Sequence, residues 1–257
     1  MPEHRFHTPE PVELEIKVPL GEIEVETVDG DESFISVEGS EKLLDLTEVR
    51  QEGRRLVVEL RGRKPFGITI SIGDLSFGGG GQLRVHARVP HSSDALFATA
   101  AADMNLNGRV RTLEVKSASG DLTVRGEIES DATVKSVSGD VLLDRIGGSL
   151  RFQTVSGDLT ARSVEYSVDG KSVSGDVRLE STREGKVSIQ SVSGDIELGV
   201  APGTNLDVDA GSVSGDLSSD VPLGGDPGTG VAEGPTLVVR GKTVSGDFRV
   251  HRASERA

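Results

Sequence analysis

Seven aspartates close near-copies of one five-residue motif, Ser/Thr-Val-Ser-Gly-Asp, with Ala118 in the valine position of the first copy. They are Asp121, Asp140, Asp158, Asp176, Asp195, Asp216 and Asp247. Carboxylates repeated in this way can do two kinds of chemistry. Stacked at strand spacing they repel one another unless divalent cations neutralise them or main-chain amides bond to them. Calcium-binding solenoids use a nine-residue Gly-Gly-x-Gly-x-Asp repeat that brings several oxygen ligands to each ion. Here one Asp recurs only every 18 residues or more. Capping of turn amides is therefore the expected role, and no metal or other cofactor is expected. The glycine before each Asp (Gly120, Gly139, Gly157, Gly175, Gly194, Gly215 and Gly246) supplies the positive-φ position a tight arc needs. The serine hydroxyls can close the same turn locally.

Other chemistries find few residues to work with. The five histidines, His4, His7, His86, His91 and His251, all lie outside the motif, and no Gly-x-Ser-x-Gly elbow accompanies the many serines. Gly78 to Gly81 precede an alternating strand pattern with no Lys-Ser or Lys-Thr, so neither a phosphate loop nor a dinucleotide fingerprint is met. The chain has no Cys, which removes thiolate nucleophiles and Cys-ligated metals. No catalytic residues are expected, and the chain reads as a non-enzyme.

Charge and composition narrow the partners. The 257 residues carry 28 basic and 42 acidic side chains, a net charge of −14, with only seven Phe, one Tyr and no Trp. Such a chain is repelled by phosphate backbones and has almost nothing to stack on bases, so no nucleic-acid partner is expected. The polar start, Met1 to Val12, and the lack of an 18-residue apolar run predict a soluble, cytoplasmic chain without direct membrane insertion.

The elements that carry the motif follow from its spacing. Successive Asp are 19, 18, 18, 19, 21 and 31 residues apart, and apolar residues alternate before each motif (Leu150 and Phe152, Val187 and Ile189) and after it (Val141 and Leu143, Ile196 and Leu198). Period two means strands, and a unit this short is about half a propeller blade. The fold class is all-β: a single-domain β-solenoid-like stack of 18–21-residue strand-turn-strand repeats. Seven turns stacked at about 4.8 Å span roughly 29 Å. Residues 91–250 hold the regular repeats, with a Pro- and Gly-rich loop at 219–235, and residues 12–90 hold degenerate ones, opening on Val12, Leu14, Ile16 and Val18 and including Thr27 to Asp31 as a decayed motif. Residues 1–11 and 251–257 read as tails. Glu41 to Val49 fits a short helix or a strand.

Two apolar features carry the functional question. Phe66, Ile68, Ile70, Ile72, Leu75 and Phe77 crowd the 63–82 insertion, either as one more core strand or hairpin or as a contact surface for a partner. Inside the motif, strict alternation would put Val137, Val155, Val173, Val192, Val213 and Val244 outward. A corner at that point reverses the choice, and the expectation is that they fill a core layer.

The recurrent Ser-Val-Ser-Gly-Asp-Val, Leu20-Gly21-Glu22-Ile23-Glu24-Val25, Gln51-Glu52-Gly53 with Leu56-Val57-Val58, and the Val89-Pro90 turn together resemble the bacterial putative-adhesin, or toast-rack, domain family of unknown function. The resemblance covers about residues 10 to 250. It implies a stacked β domain, often joined to membrane or envelope-stress modules and proposed to act as a scaffold, with no catalytic residues to transfer. The expected function is a non-catalytic scaffold acting through a protein partner or self-association. An adhesive or carbohydrate-active solenoid and a cytoskeletal-type polymer are the alternatives. Because only a short polar segment follows Thr243 to Val250, the C-terminal edge is expected either to pair with a second copy, giving a homo-oligomer, or to be blunted by Arg249, Arg252 and Arg256 alone, with pairing favoured.

Overall fold

In a computed structural model, residues 3–61, 82–221 and 234–253 are described. The candidate surface Phe66 to Phe77 lies outside them, as does most of the 219–235 loop. The N-terminal part runs β1 (Glu3–His7), β2 (Glu13–Val28), β3 (Glu32–Glu38), α1 (Glu41–Leu46), β4 (Thr47–Glu52), β5 (Arg55–Leu60), β6 (Leu83–Pro90) and β7 (Ser93–Ser119). Shorter strands follow: β8 (Leu122–Ile128), β9 (Ala132–Ser136), β10 (Val141–Ile146), β11 (Leu150–Gln153), β12 (Leu159–Val164), β13 (Val168–Lys171) and β14 (Val177–Thr182). The last six are β15 (Gly185–Gln190), β16 (Ile196–Val200), β17 (Asn205–Ser214), β18 (Leu217–Ser219), β19 (Thr236–Ser245) and β20 (Phe248–Arg252).

Each rung contributes one strand before its motif and one after it. Strands before the motif pair in parallel, β7 to β9 to β11 to β13 to β15. Strands after it do the same, β7 to β8 to β10 to β12 to β14 to β16. Alternate residues of both series point into one core of Val, Leu and Ile. Rows in that core hold like residues, with compensation where they do not: the ring of Phe152 fills the space a side chain on Gly170, its register partner, would take, and Phe248 does the same beside Gly241. Interdigitation of this kind keeps a thin core dense.

The order of the last rungs departs from the order of the chain. Strand β19 pairs with β15 on one side and β17 on the other, and β20 lies between β16 and β18. The C-terminal rung is thus inserted inside the stack, with Phe248 and Val250 fully buried. This corrects the expected C-terminal edge: among the described residues the outermost rung at this end is β17 and β18, where Val213 is 82% exposed. The expected C-terminal tail also starts later, since His251 and Arg252 belong to β20 and the Ala253 amide donates to the Val200 carbonyl at 2.9 Å.

At the other end, β2 runs in register along β7 and is flanked by β5 and β6. Beyond it β3 pairs antiparallel with β6, and β1 with β3, so residues 3–7, expected within a tail, form a strand. Glu41 to Val49 is both structures left open by the sequence: α1 to Leu46, then β4, antiparallel to β5. Among the described residues no helix is long and apolar enough to cross a membrane.

Candidate functional site

The motif corners form one continuous row. Oδ1 of Asp121 accepts the Asp140 amide at 2.8 Å, Asp140 takes that of Asp158 at 2.9 Å, Asp158 that of Asp176 at 2.8 Å, and Asp176 that of Asp195 at 2.8 Å. Asp195 then accepts from Asp247 at 2.8 Å, and Asp247 from Asp216 at 2.9 Å, which repeats the inserted order of the rungs. The main-chain carbonyls bond the opposite way, as in Leu122 N–H to Asp140 and Ile196 N–H to Asp247, both 2.9 Å. Every inner Asp is therefore tied to the rung above and the rung below. A further member, Asp103, starts the row by accepting the Asp121 amide at 3.0 Å. It follows Ala101 and Ala102 in place of Ser-Gly, and only the register of β7 reveals it.

The glycines stack beneath the carboxylates. Gly157 has φ +112°, and a Cβ there would collide with the Gly139 carbonyl oxygen. The same approach recurs from Gly120, which meets Ala102, through Gly139, Gly175, Gly194, Gly246 and finally Gly215. The first motif residue turns its side chain inward, and in the early rungs its hydroxyl closes the corner: Ser136 donates to the Ser138 carbonyl at 3.1 Å and Ser117 to the Ser119 carbonyl at 2.7 Å, whereas the buried hydroxyls of Ser191 and Thr243 have no partner among the described residues.

Because those hydroxyls point in, the next residue points out. Val137, Val155, Val173, Val192 and Val244 are 52%, 46%, 47%, 50% and 50% exposed, while core residues beside them are near zero. The expected inward valine layer is thus corrected. Alternation continues from the strand into the motif, and the chain turns at Gly, two residues later. Main-chain bonds from Ser138 to Ala118, Ser156 to Val137, Ser174 to Val155, Ser193 to Val173 and Ser245 to Val192 hold the valines in one file.

A second file escaped the sequence reading. Two residues before the valines, Lys116, Lys135, Gln153, Lys171, Gln190 and Lys242 stand in register across neighbouring strands. The signal was present: in six of the seven copies the motif extends to Lys/Gln-Ser/Thr-Val-Ser-Gly-Asp, with Ala118 for Val in the first, and Gly211 stands at the Lys/Gln position in the remaining one. On the far side of the Asp row a groove of about 170 Å³ is lined by Asp158, Asp176, Asp195, Asp247, Arg178 and Arg249. There the Glu197 carboxylate, 2.7 Å from Arg178, holds its guanidinium above the usual arginine range. The corner thus presents, in order, a cationic file, an aliphatic file and an anionic file.

Residues 13–251 match the family model described as Toastrack DUF4097. The chain belongs to the Toastrack family. A putative adhesin from Bacteroides fragilis shares the Toastrack chain's fold with a TM-score of 0.55 at 15% identity, over 96% of this chain and 95% of that one. A putative lipid binding protein from Parabacteroides distasonis aligns with a TM-score of 0.49 at 13% identity, over 98% and 94%. No curated protein matches the chain.

The Asp row also bears on cations. Each rung offers one carboxylate, and in all but the last one oxygen is already engaged by an amide. Adding millimolar calcium is expected to leave the melting temperature unchanged. A rise of several degrees, reversed by chelator, would show that the row holds metal.

Proposed function

We propose that the protein is a non-catalytic scaffold that works by contact with protein, and that the valine corner is the face it uses. The observation that carries this reading is the file of five half-exposed valines, one per rung, ending on Val213. Isolated exposed apolar residues are ordinary, but a contiguous stripe of them marks an interaction surface. The Asp and Gly rows fix the spacing of the stripe, so it meets a partner already ordered and loses little entropy on binding. The Bacteroides fragilis structure, named for adhesion, is consistent with contact as the working mode.

The test uses a photo-crosslinking residue at Ser174, beside Val173, in the full chain expressed in its own cells. A protein adduct is expected, and it should vanish when Val155, Val173 and Val192 are all replaced by Thr. Thr keeps the β-branched shape at these exposed sites, so the melting temperature should move by no more than about 3 °C. An adduct formed only from the turn at the other end of the strands, at Arg183 between β14 and β15, would end this reading.

A further inference from the structure

From the arrangement of the three files we infer that the partner at this corner is a second copy of the chain, packed side by side and parallel. The inference rests on the scaffold reading above and adds the identity and orientation of the partner. Charge decides the orientation. Lys135, Lys171 and Lys242 are exposed, make no ion pair among the described residues, and are separated from one another by Gln153 and Gln190, while Lys116, beside Lys135 in register, is paired with Glu114. The Asp file lies on the other side of the valines, three residues further on, its carboxylates mostly exposed.

Let two such corners meet face to face. A two-fold axis running along the stack exchanges left and right, so the Lys file of each copy lies over the Asp file of the other. A two-fold axis across the stack keeps left and right, setting Lys against Lys and Asp against Asp. Opposite charges across an interface fix its register, and like charges reject it. Only the parallel pair satisfies the charges, and it brings each valine to its own counterpart at the same height, an isologous contact.

The area sets the strength. A strip about 29 Å long, reaching about 16 Å along the chain from Lys to Asp, gives roughly 900 Å² over both copies. That is the size of weak, reversible complexes, so a dimer in the micromolar range is expected.

Sedimentation velocity of the full chain across micromolar concentrations should show a reversible monomer–dimer equilibrium. Replacing Lys135, Lys171 and Lys242 together by Glu should raise the dissociation constant at least tenfold. A control with the same net charge, Arg5, Lys42 and Arg183 to Glu, takes residues from β1, α1 and the turn between β14 and β15, at the other end of the strands from the motif, and should change it less than threefold. Orientation is read by single cysteines, which the Cys-free chain makes unambiguous. Under mild oxidation Val137→Cys and Val244→Cys should each cross-link to themselves. A chain that stays monomeric throughout, or cross-links only when those two variants are mixed, overturns the parallel pair. The photo-crosslinking result at Ser174 is separate: an adduct with a different protein, beside a monomeric chain, would leave the scaffold reading standing and remove this one.

Discussion

Replacing Gly157 by Ala is expected to destabilise the protein by about 3 kcal/mol or more, since a strained φ alone costs about 1–3 kcal/mol and a backbone collision is added to it. At φ +112° the new methyl group would be driven into the Gly139 carbonyl, which is itself held by the stack. For a chain of this length the melting temperature should fall by about 6–12 °C. Gly30 separates the two contributions. It has φ +135° but nothing among the described residues within 4 Å of the Cβ position, so Gly30→Ala should cost only the strain. Equal losses at the two positions would show that the glycines serve conformation and not the close stacking of rungs.

Phe248→Pro should be more damaging still, because β20 is an interior strand. It removes the Phe248 N–H bond to the Asp216 carbonyl, 2.9 Å, together with a fully buried ring that fills the space beside Gly241. Proline within a ladder removes a strand hydrogen bond, and loss of a buried Phe costs about 3–5 kcal/mol, so the β17–β18 rung should detach and become sensitive to protease. Phe248→Leu keeps the amide and should lose about 1–2 kcal/mol. A proline variant with unchanged thermal melting and protease resistance would mean that β20 lies at an edge after all.

The solenoid was legible because its corner has to be rebuilt from the same residue types at every rung. Ser supplies an inward hydroxyl, Gly a positive φ under a close carbonyl, and Asp a carboxylate that reaches the next amide, so none of the three can stand in for another. What could not be read is what the corner leaves open. The direction of Val137 to Val244 depends on whether the turn falls before or after the valine, and both placements give the same alternation. The insertion of β19 and β20 ahead of β17 and β18 depends on which rung docks on β15 and β16, and the local pattern is alike in both. Only the 31-residue step, long enough to pass around a rung, hints at it. Asp103 was missed because Ala102 stands where later rungs have Gly, and the Lys file because Gln153, Gln190 and Gly211 interrupt it.

The corner must be rigid although it is exposed, and amide hydrogen exchange tests that most directly. The amides of Asp140, Asp158, Asp176, Asp195 and Asp247 have no strand partner at the turn and depend on a neighbouring carboxylate. They should exchange as slowly as the core amides of Leu143 and Leu179, opening only when the stack itself unfolds. Exchange at the rate of free loops, with the strands on either side still protected, would contradict the carboxylate ladder and the fixed valine file built on it.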